Sequence, residues 1–178
     1  MTTDLYHAFL KGDEQAFEEL VRTYRHPLTA FLQRFVLDYD TAEDLAADVF
    51  VVILERKGYR PGGSFRAWLF AVARNKAIDY IRKHRHLLPL ETVENLPDRE
   101  ADPEETVLTR EQHNAARAAL RRLKDDRRMA LLLTSQEGLS YEEAAAVMRK
   151  TPTQIRNLCY RARQQLRRSM KEVFDHED

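Results

Sequence analysis

The sequence predicts an all-α chain built as an N-terminal helical bundle and a C-terminal helix-turn-helix domain, joined by a flexible acidic linker. Three observations carry that expectation. Apolar residues recur at helical spacing almost throughout, and no segment shows the strict alternation of a half-buried strand. Glycine numbers only five in 178 residues while charged residues reach 33%, a balance that favours helices over turn-rich sheet. The periodicity stops once, at residues 90–105, which hold seven acids, one base and two prolines. A segment so charged and so poor in apolar side chains cannot bury a core and reads as a tether. The expected boundaries are 1–87, 88–105 and 106–178.

In the first domain, Met1–Asp13 is polar, with no apolar signal segment. Asp13 can cap a helix running to about Arg25, with Ala16, Phe17, Leu20, Val21 and Tyr24 inward. Pro27 then breaks that helix or starts the next, Leu28–Leu37. Asp40 or Thr41 caps a third helix reaching about Lys57. Arg60–Gly63 forms a loop, and Ser64 can cap a long helix from Phe65 to about Arg85. Helical pattern resumes near Glu104, runs to Leu123, restarts after Asp125 and ends at Gly138, whose backbone freedom suits a helix terminus.

The C-terminal signals agree with one another. Ser140 and Glu143 form a capping box before Tyr141–Met148, which turns Ala144, Ala145, Val147 and Met148 to a core. Thr151 and Gln154 form a second box, with Pro152 at the first helical position. Two helices and a turn of about three residues have helix-turn-helix proportions. On a wheel of the second helix, Ile155, Leu158, Cys159, Ala162 and Leu166 gather inward. Thr153, Arg156, Asn157, Tyr160, Arg161, Gln164 and Arg168 take the opposite arc.

Charge separates the functional readings. Residues 149–171 hold eight Lys or Arg (149, 150, 156, 161, 163, 167, 168 and 171) and no acid, in a chain of zero formal charge. Arg, Asn, Gln and Thr on one arc can read base edges while the other cations hold phosphates; a solvated basic face is the bland alternative. Residues 74–86 carry five Lys or Arg against Asp79 alone. There Trp68, Asn75, Asp79 and Arg82 share one stripe, flanked by Lys76 and Lys83, as a single-stranded nucleic-acid surface requires. Trp68 is more often core than a base platform. Residues 38–48 hold five acids and no base, which suits a basic partner surface or simply complements a helix start.

Other classes are excluded. No apolar run approaches the roughly 18 to 20 residues of a membrane span, so no membrane insertion is expected. One cysteine cannot form an internal disulfide, which points to the cytoplasm. Cys159 reads as a small core residue. There is no phosphate-binding loop and no Cys/His zinc set, so no cofactor and no enzymatic activity is expected. His84 and His86 read as basic surface, and the Asp44–Asp48 pair fits a partner surface better than a metal.

The strings 42–50 (AEDLAADVF), 64–80 (SFRAWLFAVARNKAIDY) and 137–145 (EGLSYEEAA), in that order and spacing, resemble the bacterial extracytoplasmic-function sigma factors, from Gly12 to Arg168. The resemblance implies a factor, monomeric when free, that binds core RNA polymerase and directs it to promoter DNA under the control of an anti-sigma factor. It implies that Asp44, Leu45, Asp48, Val49 and Phe50 bind polymerase, with exposed apolar residues beside the acid cluster. It implies that Ser64, Arg66, Asn75, Lys76, Asp79, Arg82 and Lys83 meet the −10 element and that Arg156, Asn157 and Arg161, with Tyr160 nearby, contact the −35 element. Thr153 and Gln164 lie on the same arc. The chain departs from the family's pattern at Arg149 and Lys150, where a glycine and an apolar residue are common, and at Thr153-Gln154, where Gly-Thr is common. A stand-alone helix-turn-helix regulator is the competing reading.

Overall fold

The computed structural model describes residues 2–36, 38–55, 59, 63–84 and 107–174. The expected tether, residues 60–62 and His86 lie outside the described residues. Among the described residues every regular element is helical: α1 (Thr2–Leu10), α2 (Glu14–Val36), α3 (Tyr39–Leu54), α4 (Phe65–His84), α5 (Val107–Arg121), α6 (Asp125–Leu131), α7 (Tyr141–Met148) and α8 (Pro152–Phe174). A π-helical turn, Leu132–Gln136, extends α6. There the Thr134 hydroxyl donates to the Ala130 carbonyl at 2.9 Å.

Four local expectations need correction. α1 was not expected; it forms because Tyr6 and Phe9 are buried against α2 and α4. α2 runs unbroken through Pro27. Proline in a helix interior costs about 3 kcal/mol, but Tyr24, Leu28, Phe31, Leu32 and Phe35 lie buried on both sides of it. Each large apolar side chain so buried contributes roughly 1.5–3 kcal/mol, so the continuous face wins. α3 is capped by Asp38, not by Asp40 or Thr41. Asp38 has the extended backbone of a cap (φ −137°, ψ 130°), and its carboxylate accepts the Thr41 N–H at 2.8 Å. His84 is half-buried rather than plain surface. Its ring stacks on Tyr80 with centroids 4.1 Å apart, and its Nδ1–H donates to the Tyr80 carbonyl at 2.9 Å.

The two helical domains pack on each other. One apolar core runs from Leu20, Phe31, Leu69 and Phe70 in the first domain to Met129, Leu133, Ala144 and Ile155 in the second. The contact is made where α7 meets α4 and α6 meets α2. Arg128 fastens the second junction. Buried on α6, it donates to the Phe35 carbonyl at 3.4 Å and to Asp125 at 3.0 Å, with its guanidinium 5.2 Å from the Phe35 ring centroid. A smaller apolar cluster of Leu123, Leu131 and Ala162, with Leu120 of α5 packed against it, unites α5, α6 and α8.

Candidate promoter and polymerase surfaces

The helix-turn-helix is built as its sequence requires. Ser140 and Glu143 make both bonds of a capping box, at 2.9 and 3.1 Å. Thr151 and Gln154 repeat it, at 2.8 and 3.2 Å. Between them Arg149 carries the turn in a left-handed conformation, φ 54° and ψ 47°. Such backbone normally favours glycine because a Cβ is crowded there.

α8 divides into two faces. Ile155, Cys159 and Ala162 have no exposed surface, and Leu158 and Leu166 pack beside them. Thr153, Arg156, Asn157, Tyr160 and Arg161 are exposed, and Gln164 is half-buried. The Arg156 guanidinium sits 5.7 Å from the Tyr141 ring centroid, which limits its freedom at little energetic cost. Gln164 donates to the Tyr160 hydroxyl at 2.7 Å, so an aromatic ring that is 61% exposed is held in place. This face offers donors, acceptors and cations in a row about one helical diameter wide, the size a major groove admits.

On α4, Asn75, Asp79, Arg82 and Lys83 are exposed along one stripe and Lys76 is half-buried. Arg74 donates to the Asn75 amide oxygen at 3.4 Å. Asp79 and Arg82 form an ion pair at 3.2 Å. Trp68 belongs to an aromatic cluster with Tyr6, Tyr59 and Phe65, with centroids 5.5–5.9 Å from it. Its half-buried ring therefore serves packing first.

The start of α4 is engaged by the other domain. Ser64 caps the helix by accepting the Ala67 N–H at 3.2 Å. The Ser140 backbone, first, and the nearby Ser64 hydroxyl help hold the Glu143 carboxyl below the ordinary carboxylate range. Arg66 donates to Glu137 at 3.5 Å. Glu137 is only 3% exposed, and burial pushes its pKa upward against the attraction of Arg66 and Arg34. Within the second domain, Asp126 pairs with Lys150 at 3.0 Å. Nearby, burial lowers the Arg74 pKa, Asp126 opposes that shift, and Arg149 reinforces it.

On α3, Asp44 and Asp48 are exposed, and Asp48 pairs with Lys76 at 3.3 Å. The expected apolar neighbours are corrected: Leu45, Val49 and Phe50 are 8%, 0% and 8% exposed. They belong to the apolar core, where α3 packs on α2 and α4. The large exposed apolar side chains of α3 are instead Val51 and Leu54, at 49% and 50%. With Phe17, Val21 and Ala47 they line an open groove between α2 and α3. Sequence reading missed this pair, although their i, i+3 spacing outside the core face was visible.

Among the described residues no helix is long and apolar enough to cross a membrane. Residues 20–87 match Sigma-70 region 2 and residues 113–166 match Sigma-70, region 4. The chain is 31% identical to the RNA polymerase sigma-H factor of Pseudomonas aeruginosa, over 92% of this chain and 91% of that one. It is 30% identical to the ECF RNA polymerase sigma-E factor of Escherichia coli K12, over 86% of each. Its fold matches the sigma factor RpoE from Bartonella quintana, solved with the anti-sigma factor NepR, with a TM-score of 0.71 at 26% identity, covering 87% of this chain and 96% of that one. The two matched regions coincide with the two packed domains, which a stand-alone regulator leaves unexplained; the chain belongs to the extracytoplasmic-function branch of the sigma-70 RNA polymerase sigma factors.

Proposed function

We propose that three surfaces of this sigma factor divide the work of promoter-specific initiation. The outer face of α8 (Thr153, Arg156, Asn157, Tyr160, Arg161 and Gln164) reads the −35 element in the major groove. Ser64 and Arg66, with the α4 stripe of Asn75, Lys76, Asp79, Arg82 and Lys83, meet the −10 element and hold its opened strand. Asp79 has a place on such a surface because it orients Arg82 and a carboxylate can accept from a cytosine amino group. Asp44 and Asp48, with Val51 and Leu54 in place of the buried Leu45, Val49 and Phe50, form the edge that docks on core polymerase. The domain limits 1–87, 88–105 and 106–178 follow that division. The chain works in the bacterial cytoplasm as a binding factor rather than an enzyme. By analogy with Bartonella quintana RpoE and NepR, an anti-sigma factor controls it.

The single observation that carries the −35 assignment is the segregation of α8. Ile155, Cys159 and Ala162 on its inner side have no exposed surface, and its outer positions present cations and amides with no acid. Strand opening must draw on binding energy, since extruding a base costs a few kcal/mol and the chain has no nucleotide-hydrolysing motif. In the packed form Arg66 is paired with Glu137, and Ser64 lies close to Glu143. Meeting DNA therefore means exchanging those carboxylates for phosphates or bases, with the domains parting at α4 and α7.

Reconstituted transcription separates the surfaces. Arg156→Ala with Asn157→Ala is expected to abolish dependence on the −35 sequence while core polymerase is still bound. Asp44→Lys with Asp48→Lys is expected to weaken polymerase binding while −35 selectivity persists in the residual transcript. A pair that leaves its own step unchanged removes that assignment.

A further inference from the structure

We infer that Tyr59 is a positioning residue for −10 recognition, fixing the start of α4 from which Ser64 and Arg66 project. The inference rests on the reading that Ser64 and Arg66 face the −10 element. The Tyr59 hydroxyl donates to the Gly63 carbonyl at 2.8 Å, closing the backbone immediately before the Ser64 cap. Its ring is gripped from three sides. It meets Tyr6 edge-on at 5.1 Å and 87°, Phe65 at 5.6 Å and 76°, and Trp68 at 5.6 Å and 62°. Tyr6, 1% exposed, stacks in turn on Phe65 at 4.9 Å.

The consequence is geometric. Phe65 and Trp68 belong to the first turn of α4, so the rings that hold Tyr59 also hold the helix carrying Arg66. The Tyr59 hydroxyl adds a polar tie that the rings do not supply, to the carbonyl of Gly63. Edge-to-face pairs fix ring orientation as well as distance, so the hydroxyl is presented to that carbonyl rather than finding it by chance. The outer support, Tyr6, comes from α1, which precedes the stretch matching Sigma-70 region 2 at 20–87. The device thus includes an element that the matched region lacks. A ring serving only as core filling has no need of a hydroxyl bonded at the edge of the cluster.

The test uses the full chain with core polymerase on templates that share one −35 element and differ in the −10 element. Tyr59→Phe keeps the ring cluster and removes only the hydroxyl. Its melting temperature is expected to stay within about 3 °C of wild type. Open-complex formation is expected to slow about two- to tenfold, the range that one net hydrogen bond supports. The preference for the favoured −10 sequence is expected to fall by a similar factor, with polymerase binding and −35 dependence unchanged. Unchanged opening and unchanged −10 preference in Tyr59→Phe would overturn the inference, as would a uniform loss of every step in proportion to lost stability. Arg66→Ala, run alongside, tests the parent reading. If it leaves −10 preference intact, that reading fails and takes this inference with it. If it abolishes the preference while Tyr59→Phe does not, only the role of Tyr59 fails.

Discussion

Replacing Glu137 by Gln isolates the electrostatics of the interdomain junction. Glu137 is 3% exposed and accepts from Arg66 at 3.5 Å. Burial is the leading influence on its carboxyl and raises its pKa above the ordinary 4.5. A charge that is buried faster than it is compensated does not stabilise a fold. Gln at this position keeps a carbonyl oxygen for Arg66 and removes the charge. The expected change at pH 7 is therefore between zero and about 1 kcal/mol of added stability, or up to roughly 4 °C in Tm for a chain of this size. The pH dependence has a definite sign. Between 4.5 and the raised value, the folded chain keeps a proton that the unfolded chain has lost. The contribution of Glu137 to stability therefore falls as pH rises through that window, and below it the residue is neutral in both states. Thermal melts of wild type and Glu137→Gln, from pH 4 to 7.5, should show the variant gaining on wild type as pH increases. A variant more than about 1 kcal/mol less stable at pH 7, or a difference that is flat with pH, would refute the reasoning.

Other perturbations test the helix-turn-helix. Arg149→Gly relieves the left-handed backbone at φ 54° and removes a positive charge near Arg74; calorimetry should find about 0.5–1 kcal/mol of added stability. Ile155→Ala empties a site with no exposed surface, and denaturant unfolding should record a loss of about 2–5 kcal/mol, accompanied by loss of −35 protection. Arg168 is exposed on the outer side of α8. As a phosphate contact, its replacement by Ala should weaken binding of −35 and unrelated duplexes alike. It should also lower the slope of log K against log salt by about 0.9, measured by fluorescence anisotropy.

Much of the C-terminal domain was legible because its signals are local. Ser140 with Glu143, and Thr151 with Gln154, lie three residues apart and make the bonds their spacing predicts. The two faces of α8 follow from helical period alone. What the sequence concealed was decided by distant neighbours. α1 is nine residues long, too short to be stable alone, and depends on rings at Phe65 and Trp68. Pro27 looked like a boundary because propensity is local, while the core that overrides it is assembled from several helices. Leu45, Val49 and Phe50 were expected on a face exposed beside the acids, and they are buried. Whether that face met the core or a partner could not be read from spacing. The Arg66–Glu137 pair joins positions 71 residues apart, with no local trace in either segment.

In the proposed function one chain supplies both halves of promoter recognition to a polymerase that lacks them. Run-off transcription by core RNA polymerase over a promoter library, with and without the chain, tests this most directly. Transcripts are expected only when the chain is added, from templates sharing two sequence elements at the −35 and −10 positions. Each element should be lost separately, the first in Arg156→Ala with Asn157→Ala and the second in Arg66→Ala. Tight, sequence-specific binding of the free chain to duplex DNA, with no chain-dependent transcript from core polymerase, would contradict it.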